Sequence, residues 1–351
     1  MTGAGAVLVA RLDSAGDVLL AGPAVRACAA SGRPVHLLCG PRGRAAADLL
    51  PGLAGVVEFH APWIEAEPMA VHPGDAAALV DRVRALGVAE AAVLGSSHQS
   101  PLPLALLLRW AGVGRIAAVS HDHAGSLLDL RLRGDPDLHE VRRGLLVTEA
   151  LGFRSPADDR LRVDPGPPDA GVAQLVGTLG RYVVVHPGAS VAARTLAPAQ
   201  WRDAVAALAA GGRRVAVTGG PQEVGLTAMV AGDHPRVIDL GGRLSLRRLA
   251  HLLAAADVAA AGNTGPAHLA AAVGTPVVAA FPPTVPLDRW RPWRVPQVVL
   301  GDQDVPCAGC RARSCPLPEQ VCTSGVRGAD VAAAVDRLAP SAALPVPEAA
   351  P

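Results

Sequence analysis

The chain contains no lysine, so arginine supplies every strong positive charge in its 351 residues. A phosphate-binding P-loop depends on its lysine and Schiff-base chemistry on a lysine amine, and both are excluded. Asparagine occurs once, at Asn263, tyrosine once and phenylalanine three times. With aromatics at 3%, the core must be Ala, Val and Leu, which suits helices packed on parallel strands better than a β-sandwich. Neither sign of charge dominates: the net charge of +1 argues against binding nucleic acid by phosphate neutralisation, and no nucleic-acid partner is expected. No uncharged apolar run reaches the length of a membrane span. The opening MTGAGAVLVARLD has no basic n-region and meets Arg11 and Asp13 too early for a signal peptide. The expected location is therefore cytoplasmic, with at most peripheral membrane contact.

What is present alternates. Val7 to Leu12, Val35 to Leu38, Val56 to Phe59, Ala91 to Leu94 and Ile116 to Val119 read as strands. Helical stretches at Arg42 to Leu50, Asp75 to Leu86, Pro103 to Trp110 and Asp137 to Leu151 lie among them. This α/β grammar implies doubly wound parallel sheets with helices on both faces. A Pro/Gly-rich linker, DPGPPDAG, follows at Asp164 to Gly171. The same grammar then repeats, with strands at 182–186, 215–218, 237–240, 258–261 and 276–281. Helices at 198–210, 221–231, 245–256, 266–273 and 329–338 accompany them. The predicted organisation is an N-terminal Rossmann-like domain over 1–165, a C-terminal one over 166–340 and a disordered tail over 341–351. Two such halves place a ligand cleft between the carboxyl ends of their sheets.

The stretch from Asp257 to Thr284, DVAAAGNTGPAHLAAAVGTPVVAAFPPT, organises the second half. A strand, the small-residue turn Gly262-Asn263-Thr264-Gly265 and a helix opening at Pro266 form an anion site from backbone N–H groups and the helix dipole. His268 can add a side-chain donor in the first turn. The competing reading is a tight connection without a ligand, in which Asn263 only supplies the turn conformation it tolerates.

Three further loops hold polar residues at strand ends. In RLDSAGDV, Asp17 opens a helix, where a carboxylate accepts N–H bonds, stays ionised and can act as a base. Asp13 competes for that role, and an ordinary helix cap is the alternative. In HPGASVAARTLAPAQW, Arg194 can clamp phosphate oxygens through its guanidinium fork. In VTGGPQEV, Glu223 can bond a ribose hydroxyl or merely start a helix. No GxGxxG follows the first strand, no GxSxG elbow occurs, and His139-Glu140 does not continue into HExxH.

RLDSAGDVLLAGPAVRA, HPGASVAARTLAPAQW, VTGGPQE and AAADVAAAGNTGPAHLAAAVGTPVVAAFPPT, in that order, resemble family 9 glycosyltransferases, the ADP-heptose–lipopolysaccharide heptosyltransferases and their relatives. The resemblance spans roughly residues 7 to 335. It implies a GT-B fold, with the acceptor on the first domain and the nucleotide sugar on the second, and metal-independent transfer with inversion. ADP-sugar would be a co-substrate, with no cofactor, and the acceptor would be a glycan or small molecule. Asp17 matches the family's catalytic aspartate. Arg194 matches the basic residue on the donor phosphates, and Thr264, Gly265 and His268 match the pyrophosphate turn. Ser190, Glu223 and Asn263 complete the expected donor side; Asp13, Ser14 and Gly16 form the acceptor side. The family usually has Asp where this chain has Asn263, beside the sugar. A sugar-nucleotide epimerase of the same fold and a non-catalytic nucleotide-sugar-binding protein are the rival readings, and a monomer is expected.

Cys307, Cys310, Cys315 and Cys322 have the ligand type of a zinc site, at looser spacing than a standard finger. The expectation is a structural knuckle, with zinc or without it. Cys28 and Cys39 read as buried fillers.

Overall fold

The computed structural model describes residues 5–64, 68–96, 98–135 and 137–340; the expected tail and the first four residues lie outside the described residues. Two six-stranded parallel sheets form the chain's framework. The first contains β1 (Ala6–Arg11), β2 (Val35–Cys39), β3 (Gly55–Glu58), β4 (Val88–Val93), β5 (Arg115–Val119) and β6 (Leu130–Leu132), in the order β3-β2-β1-β4-β5-β6. The second contains β7 (Tyr182–His186), β8 (Arg214–Val217), β9 (Val237–Asp239), β10 (Val258–Gly262), β11 (Val277–Ala280) and β12 (Gln297–Leu300), in the order β12-β11-β10-β7-β8-β9. Each order places the first strand of its half beside the fourth, so both halves reverse direction at β1/β4 and β7/β10. These switch points are where doubly wound sheets open a crevice at the strand carboxyl ends.

Composition explains the layering. β1, β7, β10 and β11 are buried at every residue, as expected of central parallel strands covered on both faces. The helices that cover them present alanine and leucine, and the small side chains let helices approach closely. Helix Gly265–Ala272, buried from Ala267 onward, packs directly against helix Ala15–Leu20 of the first half. One apolar cluster accordingly includes Val9 and Leu19 as well as Leu249, Leu269 and Ala270.

Several expected elements are corrected. The stretch 42–50 is a 3-10 turn, Pro41–Gly43, followed by only one helical turn, Arg44–Ala47. Helix 137–151 begins at Glu140, because His139 caps it through Nδ1, which accepts from the Val141 amide at 3.2 Å. Helix 221–231 starts at Val224 after a 3-10 turn, Pro221–Glu223. The short edge strands β6 and β12 and helix Ala170–Leu179, which opens inside the linker stretch, have no counterpart in the sequence reading.

Candidate active site

β1 ends in Arg11, a charged residue only 4% exposed. Its guanidinium is surrounded by acceptors. Nη1 donates to Glu140 Oε2 at 3.0 Å, and Nη2 donates to Asp17 Oδ1 at 2.7 Å and Ser96 Oγ at 2.9 Å. Asp13 Oδ2 lies 2.9 Å from Nε. Such a buried cation is tolerable only because carboxylates compensate it, and they raise its pKa against the effect of burial.

Asp17 is the third residue of its helix, and its Oδ2 accepts from the Ser14 amide at 3.1 Å and the Ser14 hydroxyl at 2.7 Å. Burial opposes the charge, but the Arg11 guanidinium and the two Ser14 donors outweigh it, holding the carboxyl below its ordinary range. Asp13 differs. Burial pushes its pKa up to about 6, against the pull of Arg11 and a hydrogen bond from Gln99. Two neighbouring carboxylates therefore face the same cleft with their affinities for protons set apart.

Opposite them stands the turn after β10. Thr264 occupies the helix N-cap, and its hydroxyl makes no capping bond. Arg194 sits in a 3-10 turn, Ala192–Arg194, tied to that loop because the Asn263 amide donates to the Arg194 carbonyl at 2.9 Å. A Cβ at Gly262 would lie 2.6 Å from the same carbonyl, so only glycine allows this approach. Behind it, the Trp201 indole donates to the Thr195 hydroxyl at 2.9 Å, which donates to the Pro187 carbonyl at 3.0 Å. The conformation of HPGASVAARTLAPAQW is thus fixed from both ends. His268 is 4% exposed, and burial lowers its pKa to about 4 despite Asp17, leaving a neutral ring whose Nδ1 has no partner. Arg194 Nε is likewise buried without a partner.

The two halves touch at this point. A Cβ at Gly16 would sit 3.1 Å from His268 Cδ2 and 3.2 Å from Gly265 Cα. One cleft of about 500 Å³ is lined by Asp13, Ser14, Gly16 and Asp17 from the first half. Ser190, Arg194, Asn263, Thr264, Gly265 and His268 line it from the second. Glu223 stands apart. It borders a neighbouring cavity of about 600 Å³ with Pro187, Gln200, Gln222 and Gln320, joined to the cleft by Ala189, which lines both. Its carboxylate accepts from the Gly220 amide at 2.7 Å.

The late cysteines do not assemble as a zinc reading requires. All four are free, Cys307 and Cys310 exposed and Cys322 buried. Among the described residues no group of three His, Cys, Asp or Glu could hold a metal. Sequence reasoning also missed Arg11, Glu140 and Gln99. An arginine closing an otherwise apolar strand was the available signal for the first; the other two join it only through contacts distant in sequence.

Comparison with known proteins bears on the family and the fold. The sequence profile of glycosyltransferase family 9 (heptosyltransferase) matches residues 97–320. Lipopolysaccharide heptosyltransferase 3 of Escherichia coli is 32% identical over 179 residues, 49% of each chain. The chain thus spans about half the length of that curated relative. Among solved structures, the family 9 glycosyltransferase of Veillonella parvula superposes with a TM-score of 0.75 at 15% identity, covering 96% of this chain and 97% of its own. E. coli ADP-heptose lipopolysaccharide heptosyltransferase II gives 0.72 at 16% identity, covering 95% and 98%. The two doubly wound sheets are the GT-B arrangement of these glycosyltransferases, and the chain belongs to glycosyltransferase family 9.

Proposed function

We propose that the protein transfers a heptose or related sugar from an ADP-sugar to a hydroxyl of a glycan or small molecule, inverting the anomeric centre without a metal. The observation that carries this reading is the juxtaposition in one cleft of the ionised Asp17 with Arg194 and the Gly265–His268 helix end. The acceptor O–H gives its proton to the Asp17 carboxylate while its oxygen attacks the anomeric carbon. The bond from that carbon to the diphosphate oxygen breaks on the opposite face, and the diphosphate leaves onto Arg194 and the helix end. Preorganised donors of this kind are typically worth ~3 kcal/mol each. The cavity beside Glu223 has the size and position for the nucleoside, with Ala189 at the passage to the diphosphate. The ADP-heptose named for the E. coli relative fits that division. The proposed organisation is acceptor binding on 1–165 and donor binding on 166–340, in a cytoplasmic, monomeric enzyme.

Asn263, 9% exposed, is the chain's departure at the sugar. Its amide offers both a donor and an acceptor, and adds no charge near the diphosphate, where Asp would only accept. The test is nucleotide release from a panel of ADP- and other nucleotide-linked sugars, run with and without acceptors, on the native chain and Asn263→Asp. Acceptor-dependent release of ADP with a donor profile altered by the substitution is expected. Donor turnover without net nucleotide release would favour an epimerase instead.

A further inference from the structure

Arg311 and Arg313 belong to the loop that carries the late cysteines, outside the motifs that define the cleft, yet both line it beside Arg194. Main-chain hydrogen bonds hold them there. Gly309 N donates to Pro283 O at 2.7 Å, and Arg311 N to Thr284 O at 2.9 Å. Ala193 N, the neighbour of Arg194, donates to Arg313 O at 3.0 Å. Arg311 has φ 54°, a left-handed backbone that an L side chain adopts at a cost and that is enriched at functional sites.

Among the described residues, no salt bridge or side-chain hydrogen bond engages Arg194, Arg311 or Arg313. Their charges do reach one another. The Arg194 pKa is lowered chiefly by burial, with repulsion from Arg313 added and Asp17 opposing. His98, which also lines the cleft, is lowered by burial and then by Arg311. Three guanidiniums converging on one cleft repel one another, and a bound polyanion offsets that repulsion by attracting each of them. We propose that Arg311 and Arg313 bind the donor's diphosphate together with Arg194, so that the cysteine-bearing loop is part of the donor site. This rests on the reading of the cleft as a nucleotide-sugar site.

Calorimetric titration of the full chain with ADP and with adenosine tests it. The variants are Arg311→Gly, which also relieves the left-handed backbone, Arg313→Gln, the two combined, and Arg194→Ala. Each single change in the loop should weaken ADP about tenfold, as loss of a charge-assisted bond implies. The double variant should weaken it further, with adenosine affinity unchanged. ADP affinity within twofold of native in the double variant, while Arg194→Ala loses it, would overturn the loop's role alone. If Arg194→Ala also keeps ADP affinity, the donor-site reading itself fails. Equal losses for ADP and adenosine would mean the loop only shapes the site, and would also overturn the proposal.

Discussion

At the scale of single residues, the cleft turns on two carboxylates that share Arg11 but hold protons differently. Asp17 is kept below its ordinary pKa, so it stays ionised through the working range. Asp13 is raised from 3.8 to about 6. If Asp17 is the base, turnover should persist to about pH 5 and survive Asp13→Asn, whereas Asp13 as base would give an acid limb near pH 6 and Asp13→Asn would abolish turnover. Turnover against pH on native protein and Asp13→Asn distinguishes them. Stability follows the same signs. The depressed Asp17 adds stability above its ordinary pKa, lost as pH falls through its folded value. The raised Asp13 favours folding below about 3.8 and gives that up as pH rises through about 6. Asp13→Asn should therefore raise the melting temperature at pH 8 and do so less at pH 5, as thermal melts at both pH values would show. Glu140 completes this network. Glu140→Gln removes one buried partner of Arg11 and should lower stability in denaturant unfolding, by less than the roughly 3 kcal/mol of breaking an isolated buried pair, since Asp17 still compensates the guanidinium.

Among the elements, the decisive contact is between helices Ala15–Leu20 and Gly265–Ala272, which meet where Gly16 faces Gly265 and His268. Gly16→Ala should push these helix starts apart, lowering turnover more than it lowers the melting temperature; unchanged kcat would show that the close approach is not needed. The segment around Trp293 fixes the halves from the other side. The Trp293 indole donates to the Asp159 carbonyl at 3.0 Å, and its ring packs on His139 at 4.2 Å between centroids. The long central strands and the helices with clear apolar spacing were legible in the sequence. β6 was not, because its three residues carry Arg131 at the centre and give no apolar run, and β12 was not, because Pro292 and Pro296 break up the stretch before it. Helix Ala170–Leu179 was hidden because its start shares residues with a Pro/Gly-rich stretch. The loops bearing Asp17, Arg194 and Asn263 were legible from local turn chemistry and from their order along the chain. Arg11 with Glu140, 129 residues apart, and Arg311 with Arg194 were not, since only the folded sheets bring them together.

Considered whole, the molecule is two similar sheets whose switch points face one another, and the cleft belongs to neither half alone. No helix among the described residues is long and apolar enough to cross a membrane. A ligand bridging both halves should stabilise their common fold. ADP at a hundred times its dissociation constant should add about 2.7 kcal/mol, readable as a shift in melting temperature. Metal-independent transfer predicts that EDTA leaves the rate unchanged, and an activity lost to EDTA and restored by Mg²⁺ would contradict that part of the mechanism. The central claim is that one carboxylate performs the proton transfer while a separate group of cations holds the diphosphate. The direct test is Asp17→Asn, assayed for turnover on the donor and acceptor selected by the panel and for ADP affinity by calorimetry. Turnover should fall about 100-fold or more, with ADP affinity retained or improved as a negative charge leaves the cleft. Near-native turnover, or loss of ADP binding in parallel with activity, would contradict it.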